Sequence, residues 1–229
     1  KMHRQVPYID LKNVKTRFLE IAREEGKKKR LLEIAQLWHS KRQQQGEQHV
    51  SMHAQFILFS GQAAVHFQFL SDLLSQAFDH GKKVCIEINP KIDLEAHVCK
   101  SQFDDSTYGI RINPNILGRK GQGIFINLQS LAAVFARIAH EHVHIFQFSK
   151  DYEMTMKYFE EQYPEIQRKV QAKQMSPDEY ARTPFEKDAY QAMAVFEEAL
   201  LGLLRDIGFE PEKSLEGLVP FVDSYPRIT

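Results

Sequence analysis

Apolar residues recur every third or fourth position from residue 10 to about 43, at Leu11, Val14, Phe18 and Ile21 and then at Leu31, Ile34, Leu37 and Trp38. This spacing predicts a long helix, with Gly26 as its dividing point. The polar run from Lys41 to Gln48 reads as a helix end and linker. A second helix is predicted over 52 to 80, where Phe56, Phe59, Ala63, Phe67, Leu70 and Leu74 line one face and Gly81 stops the pattern. Its aromatic stripe, with Met52, is read as core rather than as a ligand pocket.

From 82 to 127 the period shortens. Val84 to Ile88, His97 to Cys99, Tyr108 to Ile112 and Gly123 to Asn127 are short β-rich runs, punctuated by Asn-Pro and Gly turns. A helix then begins near Gln129 or Ser130 and runs to about Ser149, with apolar positions around much of its cylinder, so it is expected at the centre of the fold. Further helical segments cover 151 to 173, interrupted at Pro164, and a short piece from Ser176. A last long helix is predicted with Thr183 as N-cap and Pro184 at its first position, ending at Gly208. The fold class is α+β, mostly helical, with a small mixed or antiparallel sheet before the central helix. Residues 1–80 form an N-terminal helical region packed on, or preceding, a second part at 81–229.

Lys and Arg total 30 and Asp and Glu total 30, so no net charge draws the chain to nucleic acid or an anionic membrane. The basic run Lys27 to Arg30 follows two glutamates and reads as a solvated helix face. Cys85 and Cys99, the only cysteines, are too few for a disulfide scaffold; buried thiols are expected, with a disulfide between them as the alternative. No apolar stretch is long enough to span a membrane, and no signal peptide is visible. A cytoplasmic location, or delivery outside without such a leader, stays open. Oligomeric state is not set by the sequence.

His140-Glu141-His142-Val143-His144 puts two imidazoles one helical turn apart, within about 40° of each other on the same face, with a carboxylate beside them. Two nitrogens so placed suit zinc, and Glu141 is suited to take a proton from a zinc-activated water. Buried imidazoles and a carboxylate inside an apolar helix need a reason to be there, which favours a metal over satisfied structural histidines. His142 points to the opposite side and is expected to have a structural or surface role. A third ligand is needed. Glu186 begins the apolar stripe Ala189, Met193, Phe196 and Leu200, and so faces inward; Asp188 is turned away, and a first-turn acid stabilised by the helix dipole is the competing reading of Glu186.

HEHVH followed by Glu186 in TPFEKDAYQAM resembles the gluzincin metallopeptidases, over about 108 to 206. That resemblance implies His140, His144 and Glu186 as zinc ligands, Glu141 as general base, and residues 123–127 along the substrate cleft. The extended motif of the metzincins is absent, since Ile145 to Ser149 supplies neither its glycine nor its third histidine. No aspartate follows Ala189, so any group that orients a zinc histidine must come from elsewhere. Tyr190, one turn after Glu186, is the candidate for stabilising charge in the transition state, with Tyr180 and His97 as weaker ones. The expected function is zinc-dependent hydrolysis of a peptide or protein substrate. Hydrolysis of a non-peptide amide, and a structural zinc in an interaction module, are the alternatives.

Overall fold

The computed structural model describes residues 6–44, 52–89, 91, 96–100, 106–113, 118–119, 123–124 and 128–209. The first predicted helix is two: α1 (Leu11–Arg23) and α2 (Glu25–Gln44). They part at Glu24, which is extended (φ −57°, ψ 137°) and closes α1 with its N–H on the Ile21 carbonyl. The Glu24 carbonyl then accepts from Lys28, so α2 starts there and Gly26 lies within it. Asp10 caps α1 by accepting from the Asn13 N–H at 3.1 Å. α3 (Met52–Phe78) follows, ending at Asp79 and Gly81, both at positive φ.

The sheet is mixed. β1 (Lys83–Ile88) and β3 (Thr107–Ile112) are parallel, and β2 (Ala96–Lys100) pairs antiparallel with β3, giving the order β1-β3-β2. Tyr108, Ile110 and Ile112 point inward with Val84, and Ile86, Ile88, Ala96 and Val98 pack against the same core. Alternation therefore sends Cys85, Glu87, His97, Cys99, Gly109 and Arg111 to the other face. This corrects the expectation of buried thiols: Cys85 is exposed, Cys99 is half-buried, and the two are not bonded to each other. β4 (Gly118–Arg119) and β5 (Gly123–Ile124) form a separate two-stranded pair. Residues 125–127 of the strand expected along the cleft lie outside the described residues.

α4 (Leu128–Lys150) is the central helix and is buried on nearly all sides. α5 (Tyr152–Glu161), α6 (Tyr163–Gln171) and α7 (Pro177–Ala181) lead into α8 (Lys187–Asp206). α8 and α3 both pack along α4, while α1 closes the bundle against α3 and α8. Phe18 meets Phe135 and Phe196 at ring-centroid distances of 5.2 and 5.7 Å, tying α1 to α4 and α8. Each such buried ring contributes roughly 1.5–3 kcal/mol relative to leaving it in water. The core cluster runs without a break from Ile9 to Leu204, across residue 80. Among the described residues, no helix is long and apolar enough to cross a membrane.

α8 begins three residues later than expected. Thr183 and Pro184 form a turn instead of a cap, and Glu186 holds the N-cap position. The cause is local: the Phe185 carbonyl, which a longer helix would use internally, accepts from the Gln147 Nε2 at 3.0 Å.

Candidate metal centre

The ligand pattern is built by α4 and the start of α8. His140 Nε2 and His144 Nε2 lie 3.0 Å apart, and Glu186 Oε2 is 3.3 Å from the first and 3.7 Å from the second. All three side chains are buried, at 8%, 5% and 4% exposure for His140, His144 and Glu186. They are the only group of three or more His, Cys, Asp or Glu donors converging on one point among the described residues. The two imidazole nitrogens approach as ligands around an ion do, and a third donor on a separate helix completes the set.

The surrounding bonds prepare this geometry. Gln147 Oε1 lies 3.1 Å from His144 Nδ1. Its own Nε2 is committed to the Phe185 carbonyl, so its oxygen faces the histidine and Nδ1 must carry the proton. His144 Nε2 is left with its lone pair directed at the centre, the form a metal ligand needs. Burial lowers the His144 pKa, with Glu186 opposing it. The Phe185 ring stacks on the other side of His144 at 4.1 Å with an interplanar angle of 7°. Phe185 is itself backed by Tyr158, Phe159, Phe148 and Tyr163.

Glu186 is held in its charged form. Burial opposes the charge, but His144, His140 and the Tyr180 hydroxyl outweigh it and hold the carboxyl well below the usual range. Tyr180 donates to Glu186 Oε1 at 2.7 Å, which leaves Oε2 to face the histidines. A carboxylate held in its charged form and two imidazole nitrogens facing it are donors that suit a divalent cation. The residues fit a divalent metal.

Glu141, buried beside the triad, has its carboxyl pushed up to about 7 by burial. A hydrogen bond donated by the Val98 backbone N–H pulls the other way. Val98 lies on β2, an edge of the sheet, so of the described strands it is β2 whose backbone reaches Glu141, while β5 packs toward α3. Tyr190 sits with its ring edge on His140, centroids 5.1 Å apart. The Tyr180 hydroxyl lies at the centre, bonded to Glu186, whereas His97 is on the outer face of the sheet beside Arg111.

His142 is structural, as expected. The Lys82 N–H donates to His80 Nδ1 at 3.1 Å, which leaves the His80 Nε2 proton for His142 Nδ1 at 3.0 Å and the His142 Nε2 proton for Ser71 Oγ at 2.9 Å. The chain of donors is complete without a cation. Gln147 and Phe185 went unrecognised in the sequence. The spacing of Gln147, three residues after His144 on the same helix face, was the available signal.

The buried triad in a helical fold matches an HExxH zincin site with a glutamate as third ligand, the gluzincin pattern. Compared with known protein families, curated proteins and solved structures, the chain matches none. The support for metallopeptidase activity is therefore the geometry of His140, Glu141, His144 and Glu186 itself.

Proposed function

We propose that the chain is a zinc-dependent peptidase in which His140, His144 and Glu186 hold the metal and Glu141 is the general base. The observation that carries this reading is the convergence of three buried donors, two from α4 and one from the start of α8, with a buried carboxyl as the next residue along α4. Zinc bound there supplies Lewis acidity, making a water acidic and a carbonyl electrophilic.

The protein's own groups do the rest. Glu141, buried on α4 between the two histidines in sequence, takes a proton from the attacking water and passes it to the departing amine. Tyr190, whose ring packs against His140, is the residue we assign to stabilise the oxygen that gains charge. A peptide in extended form is the substrate class suited to the β2 edge, whose Val98 backbone reaches Glu141. The structural-zinc reading needs a closed shell of four protein donors, and the described residues bring three, which favours a position open to water.

The test compares the unaltered chain with Glu141→Gln on an unbiased peptide mixture, with bound zinc measured in both. Cleavage should fall by about 10²- to 10⁴-fold while one zinc per chain is retained. Equal cleavage by the two proteins, or no zinc in either after loading without chelators, would refute the proposal.

A further inference from the structure

Of the three converging side chains, only Glu186 has a second donor atom to give. Each imidazole offers one nitrogen to the centre, whereas a carboxylate binds a cation through one oxygen or through both. Which it does decides whether the protein supplies three donor atoms or four. Four protein donors close a zinc shell that three leave open to water.

Tyr180 bears on that choice. Its hydroxyl donates to Glu186 Oε1 at 2.7 Å, the length of a charge-assisted bond, while Oε2 lies 3.3 Å from His140 Nε2 and 3.7 Å from His144 Nε2. The two oxygens are thus divided between a protein donor and the ligand centre. The backbone fixes this division. Ser176 and Glu179 cap α7 with a reciprocal pair of bonds, and the Tyr180 N–H donates to the Ser176 carbonyl at 3.0 Å. The Thr183 N–H then donates to the Tyr180 carbonyl at 3.0 Å, and the Glu186 N–H to the Thr183 carbonyl at 3.1 Å. Tyr180 and Glu186 therefore stand on two consecutive turns closed by backbone bonds, with Ala181 and Thr183 buried between them. This run holds the phenol against the carboxylate without help from a cation, and Oε1 can turn to the centre only by giving up the bond. We propose that Tyr180 is a positioning residue that confines Glu186 to one oxygen as a metal ligand, so that the protein supplies three donor atoms and the fourth place is left to water.

The inference rests on the zinc reading above, and its test loads the full chain with cobalt(II), whose visible absorption weakens as the number of donors around it rises. Tyr180→Phe keeps the ring and frees Oε1. At equal cobalt occupancy it should absorb less strongly than the unaltered protein, and its zinc form should lose about 10- to 100-fold in kcat with the metal retained. Circular dichroism confirms that the variant is folded. A crystal structure of the unaltered chain loaded with zinc is a second measurement that needs no variant, and Glu186 bound through Oε2 alone supports the assignment. Equal cobalt absorption in the two folded proteins, or Glu186 bound through both oxygens in the zinc-loaded crystal, would overturn it and leave the zinc reading standing. Failure of the unaltered chain to bind either metal would overturn both.

Discussion

Because the Gln147 amide reaches His144 with its oxygen and the Phe185 carbonyl with its nitrogen, one side chain sets a ligand's tautomer and also the turn that carries Glu186. Its loss should therefore be felt at the metal even though it touches none. Gln147→Ala is expected to weaken zinc binding by about 10- to 100-fold, measured by competition with a chromophoric chelator. Gln147→Glu keeps an acceptor for His144 and should lose less. Unchanged zinc affinity in the alanine variant would show that His144 is positioned by Phe185 stacking alone. The HExxH residues were legible because their chemistry is tied to spacing along one helix. Gln147 was not, because its role depends on Phe185, far along the chain, and an amide in a helix carries no chemical signature of its own.

At the scale of the element, α4 and α8 enclose a second buried carboxyl. Glu197 is 1% exposed and accepts from the Gln129 Nε2 at 3.1 Å. Burial raises its pKa to about 7, against the opposing influence of Arg137 and the Gln129 bond. The folded protein thus keeps this proton in a range where the unfolded chain has lost it. Stability from Glu197 is fully present below the unfolded pKa near 4.5 and is lost as pH rises through about 7. Glu197→Gln, which cannot ionise, should remove up to about 3 kcal/mol of the fall in unfolding free energy between pH 5 and 7.5, read from urea titrations. A pH dependence identical in the two proteins would place the ionisation elsewhere.

The long elements, α3, α4 and most of α8, were legible because each buries an apolar stripe at helical period. The start of α8 was not, and the break before α2 was read at Gly26, two residues late. Both are decided by where single carbonyls find donors: Phe185 at Gln147, and Glu24 at Lys28. Sheet order was equally hidden, since alternation along a strand says which face is buried but not which strand lies beside which.

For the molecule as a whole, a continuous apolar core runs past the candidate metal centre and includes Ala139 and Val143 beside its histidines. Phe18, Phe135 and Phe196 lock α1, α4 and α8 together through ring contacts that involve none of the ligands. Chelation is accordingly expected to abolish peptide cleavage while the far-UV circular dichroism persists, and added zinc should restore activity. Unfolding of the whole chain on chelation would instead mark the ion as a structural clamp. The bond from the Val98 amide to Glu141 has a consequence for how turnover begins. Before any peptide arrives, the reactive carboxylate is tethered to the border of the sheet. If the substrate is an extended peptide added along that border, as proposed, its carbonyl would compete for the same amide, and docking would release the carboxylate for its work as base.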